Sequence, residues 1–217
     1  MQKELTKRFL SSIVLIPLVF YCVIKGSLIF NLLILILFFL TCYEWHNIAN
    51  KKKYYILGFI FLIISYFCVY YIRNDVLDNG LFLFILILIT CIFSDLGGYI
   101  FGKLFKGPKL TKISPKKTYS GMVGGFIFPL LFSFIYLKFS NNFDLELGID
   151  FKVYLINVFL ISGISQIGDI TISYFKRLSN VKDTGKIIPG HGGILDRTDG
   201  MIFAFPFAFI LVKFNLF

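Results

Sequence analysis

Charge is scarce in this chain, and acid is the scarcer sign: 12 Asp and Glu stand against 22 Lys and Arg in 217 residues. Charged residues make up 16% of the chain and hydrophobic ones 57%, where a soluble domain carries about 25% and about 45–50%. An ordinary soluble domain is excluded on that ground. Cysteine is sparse too. Cys22, Cys42, Cys68 and Cys91 lie singly in apolar stretches, with neither metal-ligand spacing nor a disulfide framework, so they read as buried reduced thiols. The chain has no G-x-x-x-x-G-K-[ST] stretch, which removes the P-loop as a means of holding nucleotide. No small-residue cleavage site of the A-x-A kind follows the first apolar run. Lys3, Lys7 and Arg8 therefore precede a retained first helix and not a signal peptide.

What is present is a series of apolar runs free of Asp, Glu, Lys and Arg: 9–24, 26–43, 54–72, 79–94, 118–137, 153–168 and, more weakly, 200–212. A helix crossing the hydrocarbon core of a bilayer needs about 20 mostly apolar residues, within a range of about 17–25. With their uncharged flanks the runs reach that length. The expected fold is all-α and polytopic, with about seven transmembrane helices and two long polar loops. Residues 1–93 hold N-terminal spans, and 94–217 form the region that carries chemistry.

The net charge of +10 could point to nucleic acid, but its distribution points to topology. Seven spans with the N-terminus inside place segments 1–8, 44–53, 95–117 and 169–199 in the cytoplasm. These hold 17 of the 22 Lys and Arg, the asymmetry that sets orientation. Asp144, Glu146 and Asp150 fall on the opposite side. His46, beside Trp45 and near Lys51–Lys53, reads as an interfacial anchor. The two longest basic segments also make a field that attracts anionic lipid and polyphosphate.

Chemistry concentrates in those two segments. Asp95 stands roughly 22–24 Å along a helix that begins near residue 79, a depth at which an ionisable group needs a partner or water. Asp169 stands at a comparable depth beyond Lys152, so the two carboxylates can share one level. Asp169, Ser173, Lys176 and Arg177 are spaced i, i+4, i+7 and i+8 and lie on one face if the stretch is helical. A carboxylate, a hydroxyl and two cations there suit Mg²⁺ and phosphate; a structural ion-pair ladder is the alternative. Residues 189–199 read P-G-H-G-G-I-L-D-R-T-D. Gly190, Gly192 and Gly193 let backbone approach a ligand and line up amides for an anion. Asp196 and Asp199 point to one side of a helical turn, Arg197 offers a fork to phosphate, and His191 either contacts phosphate or nucleotide or caps the turn. Carboxylates among cations fit a metal-assisted displacement at phosphorus.

The stretch from Ser173 to Asp199, S-Y-F-K-R-L-S-N-V-K-D-T-G-K-I-I-P-G-H-G-G-I-L-D-R-T-D, resembles the signature of the phosphatidate cytidylyltransferase family: S-x-apolar-K-R, four residues, K-D, then H-G-G-x-x-D-R-x-D. The upstream D-x-G-x-Y and I-S-P-K-K-T-x-x-G stretches are similar to the same family, and the likeness covers roughly 94–217. It implies transfer of a cytidylyl group from CTP to phosphatidic acid, with Mg²⁺ as cofactor, in a helical membrane protein that forms a homodimer and does not bind nucleic acid. It implies metal binding by Asp169 and Asp196, and catalytic roles for Ser173, Lys176, Arg177, Lys182, Asp183, His191, Arg197 and Asp199. Substrate contacts are expected from Asp95, Ser114, Lys116, Lys117, Thr118, Gly192 and Gly193. The implied location is the bacterial inner membrane, with the site facing the cytoplasm. The chain departs from the family in being shorter than many members and in carrying the basic Lys186. A CTP-dependent lipid kinase and an anion transporter are the competing readings; the chain shows no internal repeat of the kind transporters carry.

Overall fold

The structure, a computed structural model, describes residues 2–76, 79–111, 113–141, 150–188, 190 and 192–217. His191, Asp144 and Glu146 lie outside them. Among the described residues the regular elements are all helices: α1 (Gln2–Lys25), α2 (Ser27–Ala49), α3 (Tyr55–Asn74), α4 (Gly80–Phe105), α5 (Tyr119–Asn141), α6 (Phe151–Leu178), the single turn α7 (Leu195–Thr198) and α8 (Met201–Lys213). No strand forms there, only isolated bridges at Lys109–Thr118 and Ile188–Gly192. Helices α2 to α6 are long and apolar enough to cross a membrane, and Leu15–Lys25 and α8 are shorter apolar helices. The all-helical, polytopic reading of the sequence is thereby met.

The polar segments are less loop-like than their composition predicts. α4 runs on from the apolar stretch to Phe105, and α6 to Leu178. The extension of α4 still carries Leu96, Tyr99 and Phe101, and that of α6 is two-faced, with Ile172 and Lys176 buried and Tyr174 exposed. α4 stops where Lys106 and Gly107 both take positive φ ahead of Pro108. α6 stops in a Schellman arrangement, with Asn180 at φ 55° and N–H groups of Asn180 and Val181 donating to the carbonyls of Arg177 and Lys176. The connecting loops shrink to 106–118 and 179–194.

α4 packs against α3, α5, α6 and α8. Its seam with α5 is lined by glycine: a Cβ at Gly97 would lie 2.2 Å from the Gly124 carbonyl oxygen, and one at Gly121 would lie 2.7 Å from that of Gly98. In lipid, small residues of this kind let helix backbones touch. α6 and α8 meet the same way, since a Cβ at Gly168 would strike Phe203 and one at Gly200 would strike Ser165. Polar side chains sit inside and tie the helices together. Ser65 donates to the Ile202 carbonyl (2.7 Å), Ser162 to that of Gly125 (2.6 Å) and Asn157 to that of Leu216 (2.8 Å). Leu28, Ile56, Leu57 and Phe139 point outward. An apolar exterior over a partly polar interior is the arrangement a bilayer rewards.

At the end of the bundle away from the polar loops, Arg73 donates to the Val23 (2.9 Å) and Ile24 (3.2 Å) carbonyls at the end of α1, which satisfies acceptors that the helix itself cannot. At the other end His46 is exposed, with Nδ1 2.7 Å from the Tyr55 hydroxyl. Trp45 differs from an interfacial anchor. It is 3% exposed, donates from Nε1 to the Tyr55 carbonyl (3.0 Å) and meets the Phe175 ring edge-on at 5.3 Å.

Candidate active site

Carboxylates distant in sequence lie within electrostatic reach of one another. On α4, Asp95 keeps an accessible side chain and lies in the electrostatic field of Asp169, Lys117 and Arg197. On α6, Asp169 follows Gly168, and its Oδ2 pairs with Lys117 Nζ at 2.5 Å. Its Oδ1 accepts a long bond from Ser173 Oγ, 3.4 Å. Asp199 follows α7 and precedes Gly200, whose N–H donates to its Oδ1 (2.9 Å). Burial, and then the charges of Asp169 and Asp95, push the Asp199 carboxyl well above the usual carboxylate range, against the pull of Lys176. Three carboxylates from three elements thus share one region with Lys117 and Lys176.

The second loop delivers Asp196. Its Oδ1 takes a hydrogen bond from Lys176 Nζ (2.8 Å), and its Oδ2 accepts the backbone N–H groups of Thr184 (2.8 Å) and Gly193 (3.0 Å). Burial alone would raise this carboxyl, but Lys176 and the two amides outweigh it and hold the group below its ordinary value. Lys176 and Asp196, expected to serve phosphate and metal separately, are here paired with each other, and both are mostly buried. Losing one partner of a buried pair costs about 3–5 kcal/mol, so the pair fixes the loop against α6. Gly192 sits at φ +89° with Asp196 and Asp183 beside it, where a Cβ would be 3.1 Å from Asp196 Oδ2.

The other expected residues divide. Ser173 and Lys176 face the site, whereas Arg177 is exposed and caps the loop through the Val181 carbonyl (3.1 Å). Lys182, Asp183, Lys116 and Arg197 are exposed. Thr118 caps α5, accepting the Gly121 N–H at 3.1 Å. Ser114 closes the first loop by accepting the Lys117 N–H at its carbonyl, 3.0 Å. His191 lies outside the described residues.

A residue that the sequence reading passed over stands at the centre of the second loop. Glu44, at the end of α2, is fully buried and accepts from Thr184 Oγ1 (2.9 Å), Ile194 N–H (2.9 Å) and Leu195 N–H (2.8 Å). The available signal was its isolation, since it is the only acid between Glu4 and Asp75 and abuts an apolar run. The glycines of the α4–α5 seam were likewise visible as residues but not as contacts.

The chemistry of the donors bears on a divalent cation. Among the described residues no three His, Cys, Asp or Glu side chains converge into a ready cage. Mg²⁺ does not need one, because it is commonly held by one or two carboxylates, water and substrate phosphates. Asp169 fits, its one short contact being a lysine that a cation can replace. Asp196 has fewer free lone pairs, with Oδ2 already serving two amides.

Comparison with known proteins settles the family. A model of the cytidylyltransferase family matches residues 55–215. The chain belongs to the cytidylyltransferase family. Curated relatives named phosphatidate cytidylyltransferase share this ancestry. The one from Rickettsia felis is 36% identical over 208 residues, covering 94% of this chain and 90% of the relative. The one from Haemophilus influenzae is 42% identical over 130 residues, 59% of this chain and 45% of that one. The one from Staphylococcus saprophyticus is 35% identical over 175 residues, 77% and 64% respectively. The family match takes in every site residue named above except Glu44, which precedes it.

Proposed function

We propose that this membrane protein transfers a cytidylyl group from CTP to phosphatidic acid, giving CDP-diacylglycerol and pyrophosphate. The observation that carries the reading is that Asp95, Asp169 and Asp199 lie within electrostatic reach of one another and of Lys117 or Lys176, in a chain of the cytidylyltransferase family. A non-bridging oxygen of the lipid phosphate forms the new bond to the α-phosphorus. The bond from that phosphorus to the β-phosphate oxygen breaks, and pyrophosphate leaves with the electron pair. The attacking oxygen is already anionic near neutral pH, so no strong general base is required.

Asp169 and Asp196 would hold Mg²⁺, and Asp199 would support them from its buried position. When bound, Mg²⁺ supplies charge neutralisation along the triphosphate. Lys117 and Lys176, which pair with Asp169 and Asp196, are the cations that neutralise phosphate oxygens. Arg197 and Arg177 extend the positive field outward, and Ser173 orients Asp169. The basic residues of 95–117 and 169–199 support a site on the cytoplasmic face of a bacterial inner membrane. The family resemblance supports a homodimer, which light scattering of the detergent complex tests.

The deciding assay mixes purified protein, phosphatidic acid, CTP and Mg²⁺ and follows both CDP-diacylglycerol and pyrophosphate, with EDTA and Asp196→Asn as controls. Metal-dependent formation of both products, lost in the variant, is the expected result. Release of CDP in place of pyrophosphate would identify a kinase instead.

A further inference from the structure

Glu44 belongs to α2, in the half of the chain that reads as generic membrane spans, yet its carboxylate accepts hydrogen bonds from the second loop and from the first residue of α7. Thr184 Oγ1 and Leu195 N–H reach its Oε2, and Ile194 N–H reaches its Oε1. The loop is shaped around it. A Cβ at Gly185 would lie 2.6 Å from Oε1, and one at Gly193 would lie 2.5 Å from Oε2. These contacts share two residues with those of Asp196. Thr184 gives its hydroxyl to Glu44 and its N–H to Asp196. Gly193 gives its N–H to Asp196, while the next two amides go to Glu44. Two carboxylates therefore divide one set of loop donors, one from the membrane helix and one from the loop itself.

We infer that Glu44 is the positioning residue of the substrate loop. It holds Thr184, Ile194 and Leu195 against α2 so that Asp196 is presented to Lys176 and the reacting phosphates at a fixed height. Glu44 does not touch substrate. It acts through the backbone that carries Asp196, and its charge is what the loop amides answer. A glutamine of the same size keeps one acceptor but turns an N–H₂ toward donors, leaving buried N–H groups without a partner, a loss larger than that of an average hydrogen bond. The inference rests on the proposed reaction only for its kinetic arm.

The experiment compares wild type with Glu44→Gln and Thr184→Val in detergent, by two readouts. The first is limited trypsinolysis, comparing cleavage after Lys182 and Lys186, which are exposed and lie on either side of Thr184, with cleavage after Lys51–Lys53. The second is the kcat and the KM for each substrate in cytidylyl transfer. Glu44→Gln is expected to speed cleavage at the loop about fivefold or more with no change at Lys51–Lys53, and to lower kcat about tenfold, a loss of the size expected for unpaired buried donors. Thr184→Val removes one of the three donors and should shift both readouts the same way by about threefold. Unchanged loop cleavage in Glu44→Gln, or equal acceleration at every site, would overturn the inference. If Glu44→Gln does not fold, Thr184→Val decides alone, and wild-type behaviour in both readouts overturns it. Absence of turnover in wild type would count against the proposed reaction, while the proteolysis arm would still judge Glu44.

Discussion

The two polar loops reach the same site by opposite means. The first, 106–118, is closed on itself by backbone: Leu110 N–H bonds the Lys117 carbonyl (2.8 Å), Lys117 N–H that of Ser114 (3.0 Å) and Tyr119 N–H that of Pro108 (3.2 Å). The second, 179–194, leans on other parts of the chain. Ser179 Oγ donates to the Ile48 carbonyl and lies 3.3 Å from the Tyr54 hydroxyl, Glu44 gathers three donors, and Lys176 holds Asp196. A loop folded on itself can deliver a lysine wherever its flanking helices put it. A loop hung from distant helices reports on their placement, so the N-terminal helices are part of the site although they carry none of the signature.

The comparison can be broken hardest at its aspartates. Asp169→Asn and Asp196→Asn should each reduce turnover by about a thousandfold or more, as should removal of metal with EDTA, since metal and charge neutralisation carry most of such a transfer. Only Asp196→Asn should also loosen the second loop, seen as faster cleavage after Lys186; equal cleavage in both variants would erase the distinction between helix-borne and loop-borne carboxylate. Next in size, Lys117→Ala should cut kcat/KM for CTP by roughly ten- to a hundredfold, whereas Lys116→Ala, one residue away and exposed, should stay within about threefold. Steady-state kinetics of the pair checks this. Gly124→Val then tests what supports the first loop. Its side chain would meet the Gly97 carbonyl and Phe101, and such overpacking costs about 1–3 kcal/mol, to be read as a lower melting temperature in detergent. The smallest effect belongs to Ser179→Ala, which removes one hydrogen bond between the second loop and α2. A loss of about 0.5–1.5 kcal/mol, measured by the same melting curve, with turnover nearly intact, is the expected outcome.

How far the sequence shows this arrangement depends on the range over which each contact acts. The spans are readable because hydrocarbon thickness sets their length locally, and the all-helical fold follows. Asp169, Ser173 and Lys176 share a face because 3.6-residue periodicity is local too, and the shared level of Asp95 and Asp169 could be counted from their helix starts. Two things could not be counted. Lys176 and Asp196 answer each other across the loop, a pairing that residue types alone leave open, since either also suits a phosphate or a metal. Glu44 meets donors 140 and more positions away, two of them backbone N–H groups, which every residue but proline carries. At the end of an apolar run a lone acid resembles any helix-end residue until its partners arrive. The continuations of α4 past Asp95 and of α6 past Asp169 are readable as helix by the same local periodicity, since charge counts against membrane residence but not against helix; where each stops is not.

The burial of Trp45 has a use of its own. It is the only tryptophan in the chain, it adjoins Glu44, and its indole rests against Phe175 on α6, one residue before Lys176. Ultraviolet excitation selective for indole therefore addresses a single emitter at the junction of α2, α6 and the second loop. Were CTP to engage Lys176, as the proposed reaction requires, the indole packed on the neighbouring Phe175 would be the ring whose surroundings change. The protein carries its own optical probe of that junction, and stopped-flow mixing with CTP, without any attached dye, would time any change there against the appearance of product.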